Sequence, residues 1–362
     1  MQQAILSRFT WLAVLLALYV SHFACASAEP QPSAAMPAPH IALILPLSSP
    51  VFSDAASSVQ QGFMEAVDFE NRGRAGMLPV RVYSTTVEDG ELLGLFRQAL
   101  DNGALAVVGA LTRDGANLLA AERDVPVPTL LLNSADEVAA YRMYCFGMAV
   151  ESEAKQLAQL ARQQGYSRAI VITTPSQLSK RLQFAFEQEW YPLGAIEREI
   201  EFSDDPAVLS NIADSPDTLV FLATDVRNAR QIRPYLPIKM PIYATSQVFV
   251  GADRALTNYD LDGIRFVDMP WLLQPDHPAV MTYARASLPL SVANERFYAL
   301  GIDAFRLIRA LLDNRIRQVL PLDGVSGEIN LHGHVFQRAA IPAMFTEGRV
   351  AVSNKRGATL SP

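Results

Sequence analysis

From Ile41 onward, short continuous apolar runs alternate with longer segments whose apolar residues recur every three or four positions, the pattern of βα units around a mostly parallel sheet. Ile41–Leu47 (IALILPL) predicts a buried strand. After the Ser48-Ser49-Pro50 turn a helix is expected, capped by Ser53 or Asp54, with Ala56, Val59, Phe63, Ala66 and Val67 on one face. Further strands are predicted at Val80–Ser84, Ala104–Leu111, Pro128–Asn133 and Tyr144–Met148, with helices at Glu91–Asn102 and Asp114–Arg123. The cycle then restarts, with helices at Glu151–Gln164, Leu178–Trp190, Pro206–Ala213 and Arg227–Tyr235. Their strands are Ala169–Thr173, Glu197–Phe202, Thr218–Ala223, Ile242–Ala244 and Gly263–Val267.

Met269-Pro270-Trp271 breaks this cycle, and the remaining carboxyl-terminal segment is too short for a third domain, so it is expected to be shared between the two lobes. It contains the best helical stripe of the chain, Asn294–Asp313, with Phe297, Leu300, Ala304, Leu307, Ile308 and Leu311 on one side. Gly324–Val335 reads as a turn, a short strand and a hairpin. The expected fold class is α/β: two doubly wound, Rossmann-like lobes joined by a multi-strand hinge, with crossings near Ala149 and Asp268. Residues 41–149 plus 269–320 form the first lobe, 150–268 plus 321–350 the second, and 351–362 a tail.

The amino terminus changes the picture. Arg8, the apolar run Trp11–Val20 and Ala26-Ser27-Ala28 read as an export signal over residues 1–28, with a Pro/Ala-rich linker next, over 29–40. Cys25 leaves a second reading open, that of an acylated cysteine anchoring the chain to a membrane, although His22 and Phe23 fit ordinary cleavage better. Either way the protein is expected to be periplasmic, free or held at the outer membrane as a lipoprotein. No other segment is apolar enough over about 20 residues to cross a bilayer as a helix. With 362 residues, 50% hydrophobic and 19% charged, the chain is globular and not disordered. Its net charge of −7 excludes a general positive field for nucleic acid.

The usual constellations of enzyme chemistry are missing. There is no G-x-x-x-x-G-K phosphate loop, no G-x-G-x-x-G after the first strand and no G-x-S-x-G elbow. His40 falls in the linker, His277 lies beside proline, and His332 and His334 flank Gly333 as solvated turn residues, so no metal site and no cofactor are expected. Cys145 sits in an apolar strand and reads as an inert core thiol. The pairs Glu88-Asp89 and Asp204-Asp205 stand at loop or helix starts, where they complement the helix dipole.

What remains is the cleft between the lobes, because ligands of open α/β sheets bind beyond the carboxyl ends of the strands. The first lobe would line it with Ser48, Ser49, Ser53, Leu111, Thr112, Asn133 and Ser134. The second would supply Thr173, Thr174, Thr224 and Asp225. These residues suit a small polar ligand, and they are equally good helix caps and turn formers.

Several strings resemble those of the type I periplasmic-binding-protein fold and, within it, the LppC- or LpoA-type activators of penicillin-binding proteins. They are Ile41–Pro50 (IALILPLSSP), Ala106–Leu111 (AVVGAL), Phe297–Leu307 (FYALGIDAFRL) and Gly324–Leu331 (GVSGEINL), with Gly333, Val335 and Arg338 beyond them. The resemblance implies a non-enzymatic periplasmic regulator that docks on a class A penicillin-binding protein and stimulates peptidoglycan synthesis. It also implies a lipid-anchored protein of the outer membrane. Larger members of that family carry a helical-repeat domain ahead of the α/β part. The alternative is a periplasmic solute-binding receptor of an amino-acid-type ABC transporter, and the cleft's lack of an obvious strong charge counts against it.

Overall fold

The computed structural model describes residues 37–72, 78–86, 88–251 and 255–352, without the side chains of 88, 89 and 255–257. The expected signal segment, Cys25, most of the linker and residues 353–362 of the expected tail lie outside the described residues. The strongest apolar runs become central strands buried on both faces, such as β1 and β8, and amphipathic segments become the helices that cover them. The first lobe runs β1 (His40–Leu45), α1 (Ser53–Asn71), β2 (Val80–Ser84), α2 (Glu88–Asp101), β3 (Ala104–Gly109), α3 (Arg113–Ala120), β4 (Thr129–Leu131) and β5 (Met143–Cys145). The second runs α4 (Val150–Gln163), β6 (Arg168–Thr173), α5 (Gln177–Trp190), β7 (Ala195–Glu201), β8 (Thr218–Leu222), α6 (Val226–Ile232), β9 (Ile242–Ala244) and β10 (Ile264–Asp268). The shared segment holds α7 (Pro270–Leu273), α8 (Pro278–Met281), α9 (Val292–Leu312) and α10 (Ile316–Val319). It continues with β11 (Leu322–Asp323), β12 (Glu328–His332), β13 (Val335–Ala339), β14 (Ile341–Thr346) and β15 (Arg349–Val352).

Two sheets result. The first has the order β11-β12-β13-β5-β4-β3-β1-β2 and the second β15-β14-β10-β9-β8-β6-β7. Each is parallel through its centre and ends in an antiparallel hairpin, β12–β13 in the first and β14–β15 in the second. The chain passes between the sheets after β5, after β10 and between β13 and β14.

That third passage corrects the expected lobe boundaries. The sequence pattern places residues 322–339 in the second lobe, but β11–β13 extend the first sheet through the β13–β5 pairing, and only β14 and β15 return to the second. A difference of three strands follows from the one long-range β13–β5 pairing, which no local pattern encodes. The start of the expected tail also shifts, since Ala351 and Val352 belong to β15. His40 opens β1 instead of closing a linker: its ring is fully buried, bonded to Ala38 O and Tyr83 Oη. The helix expected at 206–213 is a single 3-10 turn, Pro206–Leu209, capped by Asp205. Helix α1 has Phe52 at its cap with no side-chain bond, so neither Ser53 nor Asp54 caps it.

Helices α1 and α9 form the centre of the first lobe, and they lie close enough for backbone to meet backbone. A Cβ on Gly62 would stand 1.9 Å from Tyr298 O, and one on Gly301 2.1 Å from Val59 O. Around this crossing pack Phe63, Val67, Phe305 and Ile308 with the strand residues Leu43 and Val108. Asp303, further along α9, is fully buried and accepts hydrogen bonds from Val325 N, Ser326 N and Ser326 Oγ at 3.2, 2.8 and 2.7 Å. The two separated strings GIDAF and GVSGE are therefore one contact in space.

A helical Gly→Ala substitution ordinarily gains about 1 kcal/mol in propensity. At Gly301 the backbone clash reverses the sign, and Gly301→Ala is expected to lower stability by about 1–3 kcal/mol in urea unfolding.

Candidate functional site

Every residue expected in the cleft stands at the carboxyl edge of its sheet, yet most are engaged locally. Ser48 Oγ bonds Ser84 Oγ at 2.8 Å, and Ser49 Oγ accepts weakly from Val51 N and Phe52 N, while Ser53 begins α1. Thr112 caps α3 by accepting from Gly115 N at 3.1 Å. Asn133 Nδ2 donates to Leu111 O at 2.8 Å, and its Oδ1 accepts from Ser134 N at 2.9 Å, which ties the ends of β3 and β4 together.

In the second lobe Asp225 caps α6 through Asn228 N. Thr174 N donates to Ser179 Oγ, whose proton goes to Ala223 O, so the ends of β6 and β8 are joined. The Thr173 hydroxyl donates to Ile200 O at 3.4 Å. Thr224 is buried, and its Oγ1 has no hydrogen-bond partner among the described residues. Asn133 and Ser134 also line a small pocket of about 70 Å³ with Cys145, Ser152 and Phe336. That is well below the few hundred Å³ of an ordinary ligand site.

The contacts that join the lobes come from residues the sequence did not place in the cleft. Arg296, in the first turns of α9, reaches into the second lobe and holds Asp268 at the end of β10 with bonds of 3.1 and 2.6 Å. The same guanidinium donates to Ser246 O and Phe249 O. Ser246 N in turn donates to Glu153 Oε2 on α4, and Glu153 Oε1 receives Arg338 Nη2 of β13 at 2.7 Å. Two carboxylates and two guanidiniums thus make a continuous buried chain from one sheet to the other: Asp268 is 0% exposed, Arg296 12%, Glu153 3% and Arg338 5% by side chain.

Burial raises the Asp268 carboxyl above its ordinary range, against the pull of Arg296. Such ions are costly to remove from water, so each is retained only with its partner in place. Nearer the mouth of the cleft, Arg113 at the start of α3 pairs with Asp136 at 2.8 Å, and Arg181 of α5 pairs with Glu151 of α4. Arg113 holds the exposed Asp136 carboxyl below the usual range.

The histidines differ from expectation in part. His334 is half-buried, with Nδ1 bonded to Met143 O at 2.8 Å and its ring against Tyr144, so it is a contact within the first lobe, between the hairpin and β5, and not a free turn residue. His277 lies 3.5 Å from Asp323. His332 is exposed beside a polar groove of about 370 Å³ between α4 and the β12–β13 hairpin. Among the described residues no group of three or more His, Cys, Asp or Glu is arranged to hold a metal. Cys145 is buried in β5, and burial raises its thiol pKa. No described helix is long and apolar enough to cross a membrane.

The family model described as "LppC putative lipoprotein" matches residues 34–215 and 210–339. The chain belongs to the LppC family. A curated relative, the penicillin-binding protein activator LpoA of Haemophilus influenzae, is 25% identical over 304 residues, covering 79% of this chain and 50% of its own length. This LppC-family chain spans about half the length of the curated relatives it matches.

Among solved structures, the LpoA C-domain from Haemophilus influenzae, named as a regulator of PBP1A, superposes with a TM-score of 0.69 at 22% identity. The match covers 87% of this chain and 99% of that one. A protein from Chromobacterium violaceum, described as a "putative branched-chain amino acid ABC transporter", has a TM-score of 0.72 at 35% identity and covers 85% of this chain and 100% of its own. The fold is thus the two-lobed periplasmic-binding-protein type that the resemblance implied, built from the α/β lobes that the sequence pattern predicted.

Replacing Arg296 with Met leaves Asp268 buried without its counter-charge, which is expected to cost about 3–5 kcal/mol near neutral pH. In the variant the folded-state pKa of Asp268 rises further above the unfolded value of about 3.9. A raised pKa contributes stability at low pH that is lost as pH rises, so the deficit should shrink when unfolding is measured at about pH 5 instead of 7.5. Cys145 should resist alkylation in the native protein and react only on unfolding, as read by mass mapping of its peptide.

Proposed function

We propose that this chain is a non-catalytic periplasmic regulator that docks on a class A penicillin-binding protein and raises its peptidoglycan synthesis. The observation that carries this reading is the LppC family match along both lobes, in relatives named as activators of penicillin-binding proteins. The geometry supports it from another side. The lobes are joined by the protein's own buried ions, and the candidate cleft residues serve as caps and strand ties. A regulator of this kind works through its exterior and has no need to open. In this reading the amino terminus delivers the folded part to the periplasm, with either cleavage after Ala28 or acylation at Cys25.

The second reading, a periplasmic receptor for a small polar solute such as an amino acid, is favoured by the 35% identity to the Chromobacterium violaceum protein. The two readings separate in solution. Purified protein added to a class A penicillin-binding protein is expected to bind it and raise glycan cross-linking; absence of both binding and rate change removes the regulator. A panel of amino acids is expected to leave the melting temperature unchanged, whereas a receptor's ligand at 100 times its Kd would add about 2.7 kcal/mol. Intact mass of the exported protein distinguishes a diacylglyceryl cysteine from a free terminus at residue 29.

A further inference from the structure

Glu151, in the first turn of α4, receives Nε and Nη2 of Arg181 on its Oε1 at 2.7 and 2.6 Å. Arg113 of the first lobe brings Nη1 to 4.0 Å from the same oxygen, while its Nη2 binds Asp136. Oε2 of Glu151 is buried with no hydrogen-bond partner among the described residues. An acid in the first turn of a helix is accounted for by the helix dipole alone. The dipole does not account for the convergence of a guanidinium from each lobe on one carboxylate at the carboxyl edges of the two sheets, where open α/β folds take their ligands. Guanidinium suits a carboxylate through charge and paired N–H donors, and one contributed by each lobe clamps whatever lies between.

We infer that Arg113 and Arg181 form an inter-lobe carboxylate site that the chain's own Glu151 occupies. Glu151 stands where a free small carboxylate would otherwise bridge the lobes, so the site is filled at no cost in translational freedom and is closed to ligands in solution. The ligand class that fits once Glu151 is removed is a small monocarboxylate. These contacts are independent of the partner proposed above, so the penicillin-binding-protein assay and an acetate titration can fail separately.

The test is thermal melting of the full exported protein against sodium acetate, with sodium chloride at equal ionic strength as control. In Glu151→Ala, acetate is expected to raise the melting temperature saturably, by roughly 2–4 °C beyond chloride. The native protein should show no such difference, and adding Arg181→Gln to Glu151→Ala should abolish it. A cooperatively melting Glu151→Ala that ignores acetate overturns the inference, as does a native protein that responds equally or a response that survives Arg181→Gln. Should Glu151→Ala fail to fold, Glu151→Ser, which keeps a polar group at the helix start, is read by the same criteria.

Discussion

Four charges taken out of water govern how the two halves of this molecule relate. Arg296 and Asp268, and Glu153 and Arg338, each pair a group from one lobe with a group from the other, and Ser246 links the two pairs through its backbone. Separating the lobes here would expose each ion's partner to water only after breaking short, charge-assisted bonds, and separating one pair alone would strand a buried charge. The chain crosses three times between the sheets close to these residues, after β5, after β10 and at Ala340. Gln156 reinforces the last passage by bonding both Ala340 N and Ala340 O.

Inside the first lobe the equivalent constraint is steric. Gly62 and Gly301 let α1 and α9 approach until carbonyl oxygens occupy the space a side chain would need. This sets α9 so that its amino end delivers Arg296 into the second lobe while its middle buries Asp303 under the Gly324–Gly327 turn. A Cβ on Gly324 would fall 2.6 Å from Asp303 Oδ2, and Gly327 adopts a φ of +136° that suits glycine. The strings that carry the family resemblance are thus places where backbone packs too tightly, or turns too sharply, for most other residues. They report the architecture more than a reaction.

Where the fold alone would place a ligand, most of the described candidate residues are engaged with the protein itself. In an open α/β lobe the carboxyl edges of the strands are the default ligand position, and here those edges are taken up with tying the protein to itself. Asn133 bonds Leu111 O, Ser179 bridges Thr174 and Ala223, and Thr112 and Asp225 cap helices. A two-lobed body braced in this way is consistent with the proposed regulator, which would act through its exterior.

Periodicity alone determined the βα order, most of the helices, and two of the passages between lobes, because a strand buried on both faces and an amphipathic helix each write their burial into consecutive residues. His40 shows the limit: next to prolines it reads as linker, and only pairing with β3 and a bond to Tyr83 of β2 make it strand. The assignment of β11–β13 to the first sheet, the Asp303–Ser326 contact and the Arg296–Asp268 and Arg338–Glu153 pairs were decided by tertiary structure. Each joins residues tens to nearly two hundred positions apart, and a lone Arg or Glu on a helix looks the same in sequence whether it faces water or a buried partner. Local order comes from local burial; the joining of the lobes comes from charges that meet only once the chain has folded.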